Sequence, residues 1–276
     1  CWLVQIKDFI KSNKLFLKDY AYLSGVSSTW QKHCSDFTEY CIRNFKLKKN
    51  DKIIEIASND GTLLNYFKKK NFDVLGIEPT SSTAKIAKKK GVKTNIQFFG
   101  YANSKILKQK YGSFKLIVAN NVLAHVDNIN DFVNGISNLA SNETIISVEF
   151  QYLVNIIQKV QFDTIYHEHF SYYSLISFEN LISKYNLKIF DVKKIKTHGG
   201  SLRVFLCKKN IKKKISSNTY TIKSKEKILG VNNFRFYDNF NKNVKNLKTS
   251  FQKFILNLKR NNKLIYAYGA AAKGNT

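Results

Sequence analysis

Between residues 52 and 150 short apolar runs alternate with stretches whose apolar residues recur at helical spacing, and this alternation places most of the elements. The runs 52–57, 73–77, 93–98, 114–120 and 144–150 are apolar nearly throughout, the pattern of parallel strands buried on both faces. Residues 63–70, 82–90, 104–111 and 129–140 lie between them and predict helices. Strands alternating with helices of this length predict an α/β fold with a doubly wound, mostly parallel, Rossmann-like sheet. After a helix at 178–186, residues 187–196 and 201–208 read as two strands joined by Thr197-His198-Gly199-Gly200, a turn by composition. They add an antiparallel last pair to the edge and bring the sheet to seven strands. Upstream, residues 3–30 read as an aromatic-rich irregular arm, and 33–45 as a helix. Downstream, 221–260 reads as one long helical stretch and 263–268 as a further strand. The Gly-Ala-rich run 268–274 follows it and could open a second nucleotide-type turn.

Within this pattern the stretch 53–79, IIEIASNDGTLLNYFKKKNFDVLGIEP, carries the first candidate chemistry. In an open α/β sheet ligands bind beyond the carboxyl ends of the strands, where small residues let the backbone approach and a helix N-terminus offers unpaired N–H groups. The turn 57–61 is built for this. Glu78 follows Asn59 at the distance from which an acid can accept both hydroxyls of an adenosine ribose. The three-glycine pattern of nicotinamide enzymes is absent: Ala57 stands where a first glycine would be and only Gly61 remains. S-adenosylmethionine (SAM) has no phosphate and meets these residues better. A strand–helix turn without a ligand is the alternative.

Composition narrows the class. The chain has 276 residues, 46 of them Lys or Arg against 19 Asp or Glu, for a net charge of +27. Such an excess is the footprint of phosphate binding, yet only Arg43, Arg203, Arg235 and Arg260 are arginines, the residue suited to bidentate phosphate and base contacts. Lys rises together with Asn and Ile, as a bias toward A- and T-rich codons gives. Nucleic acid is therefore not the expected partner, and the remaining charge favours an anionic small molecule by steering. No apolar run is long enough to cross a bilayer and no signal peptide opens the chain, so a cytoplasmic protein with no membrane partner is expected. Cys34 and Cys41 share a helix face as core residues, and Cys207 ends a strand. The chain has no Met, opens on Cys1 and closes just after a predicted strand, so both ends read as internal to a longer protein.

The second constellation is Tyr166-His167-Glu168-His169, beyond the fifth parallel strand. A neutral His is an efficient base near pH 7, and a carboxylate beside it can orient it and stabilise its charged form. In an extended chain His167 and His169 point to one side and Glu168 to the other. His-x-His could also supply two zinc ligands, though no third lies near in sequence. A polar surface loop with aromatic anchors is the remaining reading.

EIASNDGTLL, GIEP, NNVLAHV (120–126), YHEHFSYYS and HGGSLRV (198–204) occur in this order, and together with KDYAYLSGVSSTWQKH (18–33) and YGAAAKGNT they resemble the sugar C-methyltransferases that act on nucleotide-linked 4-keto deoxysugars. The resemblance covers nearly the whole chain. It implies a class I methyltransferase domain at 33–210. Residues 1–32 would be the end of a zinc-binding domain plus the arm, and 211–276 a helical linker and the start of a truncated C-terminal Rossmann-like domain. SAM would be the cofactor and a nucleotide sugar the small-molecule partner. Structural zinc would belong to the full-length protein, with Cys1 the last ligand of a site whose other cysteines are missing. The second His of the motif, His169, would take the proton from a sugar carbon, C3 beside the 4-ketone, with Tyr166 and Glu168 holding the sugar or stabilising the enolate. Glu55, Ala57, Asn59, Gly61, Glu78, Asn120 and Asn121 would bind the cofactor. Tyr20, Tyr22 and Ser24 would close the pocket from the arm, and His198, Gly199, Gly200, Ser201 and Arg203 would touch the nucleotide sugar. For His198 a solvent-facing turn histidine is the alternative, and His125 reads as a packed histidine. Two other readings stay open: a methyltransferase of oxygen or RNA, and a catalytically impaired family member.

Overall fold

The computed structural model of the chain describes residues 1–7, 11–16, 18, 22–267 and 269. A short strand β1 (Val4–Gln5) and a one-turn helix α1 (Ser12–Leu15) precede α2 (Ser28–Phe45). The α/β region then runs β2 (Lys52–Ile56), α3 (Thr62–Lys68), β3 (Asp73–Ile77), α4 (Ser81–Lys89), β4 (Lys93–Asn95), α5 (Tyr101–Tyr111), β5 (Leu116–Asn120), α6 (Ile129–Leu139) and β6 (Ile145–Gln151). After it come α7 (Leu153–Gln158), β7 (Ser171–Tyr172), α8 (Leu175–Ile182), β8 (Leu187–Ile195), β9 (Ser201–Lys208), α9 (Ser217–Leu229) and α10 (Asp238–Arg260).

The seven-stranded sheet has the order β4-β3-β2-β5-β6-β9-β8. The first five strands pair in parallel; β9 runs antiparallel to β6, and β8 antiparallel to β9. β1 pairs separately with β7. Because the central strands are covered on both faces, β2 and β3 show four consecutive buried positions after their first residue, which is why they read as apolar runs rather than alternations. One face packs under α5, α6, α8 and α9 through Leu107, Phe132, Phe178 and Ile222. The other packs under α2, α3 and α4 through Phe37, Cys41, Phe67 and Ala87. Each fully buried Phe contributes about 2–3 kcal/mol by removal from water, so these two layers fix the sheet whose carboxyl edge carries the site. Cys34, Cys41 and Cys207 are buried core thiols, as their helix and strand positions indicated.

The arm is more ordered than its irregular sequence suggests. α2 begins at Ser28 rather than near 33, because the Ser27 hydroxyl caps its first turn, accepting the Trp30 N–H at 3.2 Å. Trp30 and His33 therefore sit on the first turns of a long, well-anchored helix. The expected strand at 93–98 stops at Asn95 and leaves a loop over the carboxyl edge. The stretch 221–260 is two helices, since Gly230 (φ +70°) takes the left-handed position that ends α9. No strand forms at 263–267, and most of the Gly-Ala run after it lies outside the described residues. α9 docks on the domain through Glu226, which accepts the Leu175 and Ile176 N–H groups at 2.7 and 2.8 Å and so caps α8.

Candidate active site

The turn after β2 is held in a demanding backbone: Ala57 (φ 59°), Asn59 (φ 48°) and Gly61 (φ 71°) are all left-handed, though only one is glycine. Non-glycine residues adopt this conformation where the surroundings over-determine it, commonly at functional sites. Glu78, at the end of β3, supplies much of that constraint. Its Oε2 accepts the Asn59 N–H at 2.8 Å, and its Oε1 accepts the Thr80 N–H at 2.9 Å and the Thr80 hydroxyl at 2.6 Å. Gly61 departs from its expected place on the cofactor wall. A Cβ there would lie 2.9 Å from the Ala87 Cβ, so this glycine serves the close approach of the turn to α4.

Above the turn opens a cavity of about 880 Å³ whose wall includes Glu55, Ala57, Asn59, Glu78, Asn120 and Asn121. Pockets for one drug-sized ligand span about 300–1,000 Å³, so this one has room for a cofactor and part of an acceptor. Four of its wall residues carry a buried side-chain atom without a hydrogen-bond partner among the described residues: Glu55 Oε2, Ser58 Oγ, Asn121 Nδ2 and His125 Nδ1. Burial, then the charges of Asp60 and Glu78, push the Glu55 carboxyl well above the usual carboxylate range, which favours its neutral form. Unsatisfied polar groups of this kind are costly unless a ligand completes them. An adenosine cofactor with an amino-acid tail but no phosphate fits such a wall, which presents carboxyl, hydroxyl and amide groups and carries no cation from the turn.

Asn59 plays a part that its position did not reveal. Its Oδ1 accepts the Ser24 N–H at 2.9 Å, and its Nδ2 donates to the Tyr22 carbonyl at 3.1 Å. Beside it Asp60 accepts the Gly25 N–H at 3.0 Å and pairs with Lys90 at 2.9 Å. The Asn59 and Asp60 side chains of this turn thus seat the arm and leave the turn's backbone and the Ser58 hydroxyl to the cavity. Tyr22 and Ser24 line the cavity from above; Tyr20 lies outside the described residues. The other end of the arm is tied at Ser12, whose N–H donates to Asp127 at 3.2 Å and whose hydroxyl donates to the His125 carbonyl at 2.9 Å.

The Tyr166–His169 segment is a turn, not an extended strand: the His169 N–H donates to the Tyr166 carbonyl at 2.9 Å. No strand pairs with it, β7 beginning only at Ser171. The turn brings the Tyr166 and His169 rings to 4.4 Å between centroids, and both line the cavity. His167 is exposed, and Glu168 stands off the cavity wall, 4.0 Å from the His167 ring nitrogen. The alternating arrangement expected of an extended chain is thereby corrected. His169 Nδ1 lies 2.9 Å from the Thr164 carbonyl, which can only accept, so Nδ1 carries the proton and the lone pair of the neutral ring is on Nε2. Burial, then the charge of Glu168, push the Tyr166 phenol up to about 12, which keeps it a proton donor. His125 is more than a packed histidine. Its ring stands 4.8 Å from that of His169 on the same wall, and burial pushes it down to about 4 against a backbone hydrogen bond with Glu168.

The turn between β8 and β9 divides. His198 (φ 52°) lines the cavity, its ring 5.3 Å from that of Trp30. Gly199, Gly200 and Ser201 stay off the wall: Gly199 packs on Gln161, Gly200 on Asn155, and Ser201 is buried with its hydroxyl on the Thr197 carbonyl at 3.2 Å. Arg203 is likewise corrected as a ligand contact. It is 5% exposed and committed to Glu149, Nε at 3.0 Å and Nη2 at 2.8 Å. Burial would raise the Glu149 carboxyl, but its contacts with the His33 ring and with the Arg203 guanidinium bring it down to about 2. Cys1 is exposed and unpaired, and no group of three metal-ligating side chains occurs among the described residues. No helix among them is long and apolar enough to cross a membrane.

Two family models match the sequence: a methyltransferase domain over residues 28–192, more than half of the chain, and a C-methyltransferase C-terminal domain over residues 196–276. The chain is similar to the C-methyltransferase NovU of Streptomyces niveus, 28% identical over 275 residues. That match takes in 100% of this chain and 65% of NovU, so the chain spans less than two thirds of that relative's length. Among solved structures, an S-adenosylmethionine-dependent methyltransferase from Clostridium acetobutylicum ATCC 824 superposes with a TM-score of 0.51 at 13% identity, over 64% of this chain and 91% of that one. The magnesium protoporphyrin IX methyltransferase of Synechocystis PCC 6803 with bound SAH gives 0.50 at 11% identity, over 66% and 88%. At such identities both likenesses speak for the fold.

Proposed function

From the premise that the chain belongs to the methyltransferase-domain family and is a SAM-dependent enzyme, we propose that it methylates a carbon of a nucleotide-linked 4-keto deoxysugar, at C3 beside the ketone. The observation that carries this reading is that one cavity holds both the cofactor turn, with Glu55 and Glu78, and the Tyr166–His169 pair. When bound, SAM supplies an electrophilic methyl group on a sulfonium. Glu78 would take the ribose hydroxyls, and Glu55, Asn121 and the backbone of Ala57 would face the rest of the cofactor.

A ketone acidifies the proton on the neighbouring carbon, and a positioned base that removes it is worth about 10²- to 10⁴-fold. His169 is that base in this reading. Thr164 holds its Nδ1 proton, so Nε2 receives the substrate proton, and an enolate is left whose carbon takes the methyl group. The Tyr166 phenol, kept protonated, donates to the sugar or to the enolate oxygen. Glu168 lies off the wall and would act, if at all, through the charge of the imidazolium. A zinc site completed by Cys1 needs cysteines from outside this sequence, and nothing in the reaction depends on it.

The test is to supply methyl-labelled SAM with a panel of nucleotide-linked 4-keto sugars and to find the label. Label on a sugar carbon supports the reading; label on oxygen or RNA overturns it. His169→Gln is expected to abolish transfer while SAH affinity stays within about threefold, and undiminished turnover in that variant removes His169 from the mechanism.

A further inference from the structure

We infer that His33 presents a fixed Nδ1–H donor to an anionic oxygen of a ligand in the cavity, and that Arg203 and Glu149 are the positioning residues that set this donor. The inference rests on the reading above that the cavity holds SAM and a carbon acceptor.

His33 lies on the second turn of α2 and lines the cavity, with its side chain 12% exposed. Its ring is pinned on two sides. Trp30 stacks on one face, with centroids 4.7 Å apart and planes 25° from parallel. On the edge, Nε2 lies 2.8 Å from Arg203 Nη2 and 3.2 Å from Glu149 Oε2. The two edge contacts ask opposite things of one nitrogen, and the chemistry of the partner decides. A guanidinium has donors only, and Nη2 has two hydrogens, one for Glu149 Oε2 at 2.8 Å and one for His33. At the shorter distance Nε2 must therefore accept, and the proton of the neutral ring stands on Nδ1. Nδ1 has no hydrogen-bond partner among the described residues and is not sealed from the cavity, so its N–H is left for a ligand.

The arrangement also strengthens that donor. A hydrogen bond received at Nε2 draws electron density from the ring and makes Nδ1–H a better donor, the cooperative effect expected where the surroundings are dry. Glu149 is fully buried and, as the direct cross-strand partner of Arg203, compensates the guanidinium, so the donor is held without net charge behind it. The buried pair thus has a use beyond holding β6 to β9. What such a donor recognises is an oxygen bearing negative charge, and two sources fit: the carboxylate of the cofactor's amino-acid tail, and the oxygen of the acceptor as its enolate forms.

Two amide variants separate this role from a structural one. An Asn side chain places its amide near the position of Nδ1, whereas Gln reaches the position of Nε2 and keeps the Arg203 contact. His33→Asn and His33→Gln are compared with wild type for SAH affinity by calorimetry, with 5′-methylthioadenosine, which lacks the carboxylate, as control. The same proteins, saturated with SAH in D₂O, are tested for deuterium entry beside the ketone of thymidine-diphosphate-4-keto-6-deoxyglucose. Loss of SAH affinity by about 10- to 100-fold in the Gln variant, the weight of one hydrogen bond to a charged oxygen, assigns the donor to the carboxylate, provided Asn restores it and the control ligand is unaffected. Unchanged SAH affinity with deuterium entry slowed by the same factor in Gln and restored in Asn assigns it to the acceptor. A Gln variant equal to wild type in both assays, or an Asn variant no better than Gln, overturns the inference. Should wild type itself admit no deuterium, the sugar reading fails instead, and the SAH comparison alone decides, an unchanged affinity then counting against His33.

Discussion

Replacing Arg203 by Met removes the cation from beneath Glu149 while keeping the length and packing of the side chain. Glu149 is 0% exposed and hydrogen-bonded by Arg203 through two nitrogens, so solvent can do little to compensate the loss. Its carboxyl is held at about 2 in the fold, against 4.5 for a free Glu. At 1.36 kcal/mol per unit that difference is worth about 3 kcal/mol of stability at neutral pH, shared between the contacts of Glu149 with His33 and with Arg203. Breaking a buried pair by removing one partner costs about 3–5 kcal/mol, and this sets the expected loss for Arg203. Because the folded value lies below the unfolded one, this stability is complete above pH 4.5 and is lost as pH falls toward 2. Urea unfolding followed by tryptophan fluorescence at pH 7 and pH 3 reads both features. Arg203→Met is expected to lose about 3–5 kcal/mol at pH 7, with a smaller deficit against wild type at pH 3. Adding Glu149→Gln should recover much of the loss, a coupling that a double-mutant cycle measures. A loss below about 1 kcal/mol at pH 7, or a deficit that widens on acidification, would refute the assignment of Arg203 to Glu149.

Glu55 bears on the opposite sign. Its folded value lies above the unfolded one, so ionisation penalises the fold as pH rises past the unfolded value. Glu55→Gln should melt at a higher temperature than wild type at pH 8 and at the same temperature at pH 4, with SAH affinity kept within about threefold if the carboxyl acts in its neutral form; lower stability at pH 8 would sink this account. Gly25→Ala tests the seat of the arm, since a Cβ there would meet Asp60 Oδ2 and Thr62 Oγ1, each at 2.7 Å. Stopped-flow displacement should show SAH leaving about tenfold faster, in keeping with a segment held by hydrogen bonds rather than apolar burial, and an unchanged rate would mean that the arm does not retain the ligand.

The parallel strands were legible because burial on both faces writes itself into sequence as unbroken apolar runs; β3 matches its expected bounds at Asp73–Ile77. The antiparallel end was legible from the Gly-rich turn between two such runs. Boundaries failed where a single hydroxyl decides them, as Ser27 does for α2, and at Gly230, which divides a stretch whose helical period continues beyond it. The candidate site divided along the same line. Residues at strand ends, such as Glu55, Glu78 and Asn121, fall on the cavity wall because topology places them there. Arg203 and Glu168, which the resemblance placed at the ligand, stand off it, and Asn59 lines it with its side-chain amide turned to the arm. Their side chains are directed by partners far away or by a turn: Ser24 lies 35 positions from Asn59, and Glu149 lies 54 from Arg203. His33 was missed for the same reason, its partners lying 116 and 170 positions away. The cap at Ser27 was the local signal that could have extended the helix back over Trp30, the residue that stacks on His33.

β9 enters the sheet between β6 and β8, although it is the last strand of the sheet to be synthesised. Until residue 203 has left the ribosome, Glu149 has no counter-charge and the β6 edge is an open ladder. The nascent chain can build the cofactor turn early, from β2, β3 and the arm. The His198 side of the cavity closes only when the final hairpin threads back against β6. A chain stopped short of residue 203 would therefore hold the turn after β2 but neither the partner of Glu149 nor the His198 side of the cavity wall, since β9 with its turn is the piece that completes both.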